Sequence, residues 1–352
     1  MYPVAEKRFI RISKITIFVL FLVITAGGVV RSTGSGMGCP DWPKCFNRII
    51  PPTDASQLPQ GYEEHYVEGR VKKNLRFAKM VEFFGYPHLA DQIRHDESIL
   101  AHEEFNVAKT WTEYINRLAG VAAGFCLLFT VFYSFTYWKK KKAIVIWSVL
   151  NLIVVVIQAW LGSIVVSTNL TPWIITIHML LALIIVCISI QIYYWAITLA
   201  SNQIQVSYTK LKWLTLFSII ILVVQVVFGT EVRETIDFLN QQQMQRSEWI
   251  DSIGYYYHVH RLLAYLTFGI GVLLFFSIRR STPKISPQYK YGIISLVLIC
   301  AQMVTGIILA RYHVPAVAQT LHLVLASLLV GAQYYLLLLL NGNQTKTLTS
   351  VS

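Results

Sequence analysis

Eight stretches of this chain are apolar for about the length of a bilayer crossing: 14–32, 113–138, 143–167, 173–198, 212–231, 257–278, 290–311 and 316–340. A helix rises about 1.5 Å per residue, so roughly 20 residues cross the ~30 Å of hydrocarbon in a membrane. Lipid offers the backbone no hydrogen-bond partner, which leaves only helices or a closed barrel as spanning structures. Uninterrupted runs of this length are helices. The fold class is therefore an all-α polytopic membrane protein with eight transmembrane helices.

The formal net charge of +12 would suit a nucleic-acid binder, but its distribution does not. The cations gather at Lys7, Arg8, Arg11 and Lys14, at Lys139–Lys142, at Lys210 and Lys212, and at Arg279, Arg280, Lys284 and Lys290. Those are the N-terminus and every second loop. The pattern places both termini on the cytoplasmic side, with anionic lipid and not nucleic acid as the partner of the basic face. The sequon Asn343-Gln344-Thr345 then falls on the wrong side for glycosylation.

The second half repeats the first. Gln158, Gly162, Thr176 and His178 recur 144 positions later as Gln302, Gly306, Thr320 and His322. The same offset sets Asn116, Arg117 and Leu118 against His260, Arg261 and Leu262, with Glu113 opposite Tyr257. GGVVR at 27–31 resembles GTEVR at 229–233, at an offset of 202. The first span thus has a repeat partner and is expected to be part of the fold, not a cleaved leader. Each half holds four spans, and an even number keeps both halves the same way up. The expected architecture is two tandem, same-orientation four-helix bundles, 1–200 and 201–352, with a long first extracytoplasmic loop at about 33–111. The spans lack Gly/Pro interruptions in corresponding positions, which argues against a transporter.

Spans 2, 4, 6 and 8 carry Asn116, His178, His260 and His322 near their outer ends. Polar, ionisable side chains at that depth are costly and point to function. Two histidines at equal depth on helices of one bundle suit the two faces of a haem iron, so His260 and His322 are the candidate axial ligands of a b-type haem. Arg117 and Arg261, and Arg31 and Arg233 at the outer ends of spans 1 and 5, are candidate propionate donors; snorkelling to the interface is the alternative. The first bundle keeps His178 but has Asn116 in place of the second histidine. It adds Glu113 one helical turn earlier, on about the same face. An iron held there would keep an open side next to a carboxylate, which suits chemistry more than electron storage.

Five cysteines divide by position. Cys126, Cys187 and Cys300 lie in spans, where a thiol usually packs as a small apolar group. Cys39 and Cys45 flank a Pro-Asp-Trp-Pro turn just outside span 1. They suit either a structural clip or a redox-active pair.

GGVVRSTGSGMGCPDWPKC, the EYINR opening of span 2, the TIH of span 4, the HVHRLLA of span 6 and the TLH of span 8 together resemble the heme A synthase family. The resemblance covers nearly the whole chain. It implies a bacterial-type plasma (inner) membrane enzyme that oxidises the C8 methyl of heme O to the formyl group of heme A, for cytochrome oxidase maturation. It implies heme b held by His260 and His322 in the second half, and the substrate haem held through His178 in the first. It further implies a catalytic Glu113 and a role for Cys39 and Cys45 in electron transfer or haem handling. A heme O synthase and an electron donor are the implied partners; a homo-oligomer is left open. Many members have histidine where this chain has Asn116. The alternatives are a b-type cytochrome that passes electrons without modifying a haem, or an inactive relative.

The long loop carries one further pattern. KKNLRFAKMVEFF reads as an amphipathic helix, and His88, His95 and His102 recur every seven residues. In a helix that spacing separates neighbours by about 10.5 Å, too far for one metal. A solvated helical face is the simpler account; haem transfer from a partner is the alternative.

Overall fold

The computed structural model describes residues 3–100, 104–167, 172–201 and 207–342. His102 and the sequon at 343–345 lie outside the described residues. Among the described residues eleven α-helices follow one another: α1 (Val4–Ser32), α2 (Tyr62–Phe83), α3 (Pro87–Arg94), α4 (Val107–Ser134), α5 (Lys142–Ser167), α6 (Pro172–Ser201), α7 (Thr209–Gln241), α8 (Trp249–Ser252), α9 (Tyr255–Ser281), α10 (Pro287–Arg311) and α11 (Ala316–Leu340). Among the described residues, eight are long and apolar enough to cross a membrane: α1, α4, α5, α6, α7, α9, α10 and α11. The chain is a multi-pass membrane protein.

Local chemistry marks where the spans begin. The side chain of Asn106 accepts the Lys109 N–H at 3.0 Å and opens α4. Ser286 does the same for Tyr289 at 3.2 Å, with Pro287 in the first turn of α10. Both satisfy a backbone donor that the helix itself leaves free.

Neighbour contacts close two rings. In one, α1 touches α4 and α6, and α5 touches α4 and α6; in the other, α7 touches α9 and α11, and α10 touches α9 and α11. The rings meet where α1 and α6 lie against α11, with α6 also touching α7. α11 is the most buried of the eight spans, as its place at that seam requires. The seam repeats the sequence register. Thr176 on α6 donates to Thr230 on α7 at 3.0 Å. The repeat partner of Thr176, Thr320, packs so closely on Gly28 that a Cβ there would lie 3.3 Å from its methyl group. Thr320 also shares a 2.9 Å hydrogen bond with Ser32. Small and hydroxylated residues let helices approach without an apolar driving force, which lipid does not supply.

The long loop forms a cap on these helix ends. α2 and α3 make a hairpin, tied by the Asn74 amide on the Ile93 carbonyl at 2.6 Å and by an Arg94–Glu82 ion pair. Its apolar side, Phe77, Ala78, Val81, Ala90 and Ile93, packs on Ile164 of α5 and Ile174 of α6. Phe77 stacks on Trp173 with ring centres 6.3 Å apart. The reading of KKNLRFAKMVEFF as amphipathic helix agrees with α2. The histidine stripe does not form as one helix, because α3 ends at Arg94 and His95 has left helical geometry.

Candidate functional site

His178, His260 and His322 all sit in the opening turns of their helices, α6, α9 and α11. Each leans on a glycine of the preceding span. A Cβ on Gly162 would lie 3.3 Å from Cε1 of His178, one on Gly229 3.1 Å from Cε1 of His260, and one on Gly306 3.5 Å from Cε1 of His322. Asn116 keeps the same register: a Cβ on Gly27 would lie 3.9 Å from its Oδ1. Four equivalent positions thus share one device, a polar side chain laid over a bare patch of neighbouring backbone. Glutamines brace two of them. Gln158 donates to the His178 carbonyl at 2.9 Å, and Gln225 to the His260 carbonyl at 3.0 Å.

In the second ring the two imidazoles face each other, with ring centres 6.4 Å apart and planes at 62°. Two imidazoles on opposite sides of one iron, with metal–nitrogen bonds of about 2 Å each, would place their ring centres roughly 6 Å apart. The spacing therefore fits a single haem iron between them. His322 has a hydroxyl beside its Nδ1. The Thr305 hydroxyl lies 2.8 Å from His322 Nδ1 and 3.1 Å from the Ala301 carbonyl. With its proton on that carbonyl, the hydroxyl oxygen is placed to accept from Nδ1, the arrangement that leaves Nε2 with a free lone pair. Among the described residues Nδ1 of His260 has no hydrogen-bond partner, and it is buried.

The first ring is built differently. Glu113, on α4, is almost fully buried at 3% exposure. Its Oε2 accepts the Cys39 N–H at 2.7 Å, and its Oε1 accepts Arg117 Nε at 3.1 Å and, more closely, Arg117 Nη2. The rest of the Arg117 guanidinium takes the carbonyls of Asp41 (2.5 Å), Lys44 (2.9 Å) and Cys39 (2.8 Å). Cys39 and Cys45 are disulfide-bonded, and both are buried among Phe46, Tyr66 and Tyr114. Gly38 is obligatory here, because a Cβ would run into the Lys109 backbone. Burial, with Asp41 nearby, pushes the Tyr66 phenol up to about 12 and keeps it a neutral wall of this loop. Glu113 and Arg117 therefore strap the disulfide loop onto α4.

Two of the remaining arginines meet between the rings. Arg31 and Arg233 both pair with Asp237, at 3.3 and 2.6 Å. Arg233 also holds Gln319, whose amide donates to the Val314 carbonyl at 2.7 Å. Arg261 is exposed, its guanidinium 5.6 Å from the Tyr257 ring centre. Of the residues singled out from sequence, the structure brings together His260 with His322, Glu113 with Arg117 and Cys39, and Arg31 with Arg233. Thr305, Asp237, Gln225 and the supporting role of the four glycines were not singled out. Gly162 and Gly306 carried a signal, as a repeat pair; Thr305 carried none, because its repeat partner is Leu161.

The chain matches the family described as cytochrome oxidase assembly protein over residues 11–90 and 85–334. It is 26% identical to the heme A synthase of Pelagibacter ubique over 363 residues, covering 96% of this chain and 97% of that protein. It is 22% identical to the heme A synthase of Wolbachia pipientis wMel, covering 93% and 91%. Its similarity to the heme A synthase of Shewanella oneidensis, 23%, is confined to 216 residues, 61% of this chain and 54% of that protein.

Proposed function

Since the chain belongs to the cytochrome oxidase assembly protein family, we propose that it oxidises the C8 methyl of heme O to the formyl group of heme A. The observation that carries this reading is the unequal pair of sites. One has two facing imidazoles 6.4 Å apart; the other keeps one imidazole and replaces its partner with an amide. Asparagine is a poor iron ligand, so a haem held by His178 keeps a side free for reaction.

In this proposal His260 and His322 hold heme b, which supplies one-electron redox chemistry when bound. Thr305 fixes the tautomer of His322, and Gly229 and Gly306 clear the space beside both rings. His178, over Gly162 and braced by Gln158, orients heme O in the first half, 1–200. Glu113 is the catalytic carboxylate, set one turn before Asn116 on α4, and Arg117 with the disulfide loop fixes its position. Arg31 and Arg233, joined through Asp237, would donate to haem propionates. Both termini lie on the cytoplasmic side of the plasma (inner) membrane. A heme O synthase supplies the substrate and a separate donor supplies electrons.

Co-expression with a heme O synthase, in a host that makes no heme A, tests the reading. Extraction and separation of the haems should yield heme A or its hydroxylated precursor. Haem B and unconverted heme O alone, from a folded red protein, would overturn it. That outcome would favour an electron-transferring b-type cytochrome or an inactive relative, the readings that Asn116 keeps alive.

A further inference from the structure

The α2–α3 hairpin leaves a second surface that the haem chemistry does not use. One side of α2 is buried on α5 and α6, as described. The other exposes Lys72, Leu75, Arg76, Lys79 and Phe83, which follow one another at helical spacing. Beyond it comes a bare aromatic turn. Phe83, Phe84 and Tyr86 are 85%, 67% and 63% exposed around Gly85, whose φ of 89° makes the bend. Phe83 and Phe84 touch only edge to face, with ring centres 5.7 Å apart. Large aromatics held this far out in water are costly.

Their closeness to the ends of two spans suggests what covers them. Val81 packs in the cluster that includes Ile164 and Ile174, at the very ends of two spans. Phe83 and Phe84 follow within one helical turn, a few ångströms along the axis. The aromatic turn therefore lies within about one helical turn of the residues that pack on the ends of α5 and α6, close to where headgroups would surround those ends. Cations and aromatics on one face are the composition of helices that lie in that layer. Lys72 pairs weakly with Glu68 at 4.0 Å and Glu82 is taken by Arg94, which leaves Arg76 and Lys79 as net positive charge on this face.

We propose that this hairpin docks into the bilayer leaflet on the loop side, with Phe83, Phe84 and Tyr86 among the upper acyl chains and Arg76 and Lys79 on the phosphates of anionic phospholipid. Lipid then clamps the cap from outside while Val81 and Phe77 hold it from inside. The cap over the end of α6, where His178 lies, is seated by the membrane as well as by the protein.

Two measurements on the full-length chain in vesicles test this. A nitroxide is placed at Phe84→Cys, with Cys126, Cys187 and Cys300 changed to alanine, and compared with labels at Ser56→Cys, exposed in the loop, and Phe125→Cys, exposed on α4. Collisions with oxygen should exceed those with a water-soluble nickel complex, at a depth of about 5–10 Å. Nickel collisions as frequent as at Ser56→Cys would overturn the proposal, since the turn would be solvated. Shielding from both reagents would also overturn it, since another protein or a second copy would then cover the turn. The second measurement uses the unaltered chain. Trypsin should cut after Arg76 and Lys79 at least about fivefold more slowly in vesicles of phosphatidylcholine with phosphatidylglycerol than in phosphatidylcholine alone. The Phe83→Ser/Phe84→Ser variant should lose most of that protection. Equal rates in the two lipids would refute the role given to Arg76 and Lys79.

Discussion

The two halves spend the same repeat on opposite ends. In the second, α9 and α11 present two imidazoles to one another and a threonine hydroxyl lies 2.8 Å from Nδ1 of one of them. In the first, the corresponding helix α4 presents Asn116, and its charged pair, Glu113 and Arg117, holds the disulfide loop. Both halves keep the glycine under each polar residue. The two halves share the packing under these positions, while the polar residue and its surroundings differ. In the proposed function a site with two imidazoles suits storage of an electron, and a site with one suits oxidation of a substrate.

The largest effect expected is at the site with two imidazoles. His260→Ala or His322→Ala should abolish the bis-imidazole haem spectrum, read as the reduced-minus-oxidised difference of the purified chain. An unchanged spectrum in both variants would remove the distinction between the halves. Next comes Glu113→Gln, which keeps an oxygen for the Cys39 N–H but loses the charge. Heme A output should fall by roughly 100-fold or more, with the bound b-type haem unaffected. Undiminished output would reduce Glu113 to a strap for the loop. Thr305→Val should act less strongly and only on the second half. Loss of an outer hydrogen bond to a metal-binding histidine usually weakens retention by about 10- to 100-fold. Equal haem retention by the valine variant and the parent would show that Thr305 does not set the ligand.

The spans and the paired histidines were legible in the sequence because both are periodic. Membrane length shows as apolar runs, and the repeat shows as one offset. Helix ends were less legible. α7 runs to Gln241, well past the apolar stretch that ends near 231, because a helix persists beyond the hydrocarbon that selects its apolar residues. The direction of Arg117 was hidden for a different reason. Its partners are the backbone carbonyls of Cys39, Asp41 and Lys44, more than 70 positions away, and any residue supplies a carbonyl. Asp237 was hidden because its repeat position, 35, is a serine, so nothing in the duplication marks it. The break at His95 is likewise local: α3 stops there, and a regular spacing of histidines does not imply a continuous helix.

The most direct test of unequal halves is electron paramagnetic resonance of the chain loaded with heme O, compared with its Asn116→His variant. The parent should give one low-spin bis-imidazole signal, lost in His322→Ala and kept in His178→Ala, and a second haem with an open side. Asn116→His should convert that second haem to a low-spin signal and slow heme A formation. Two low-spin bis-imidazole signals in the parent, or loss of its single signal on His178→Ala, would contradict the account.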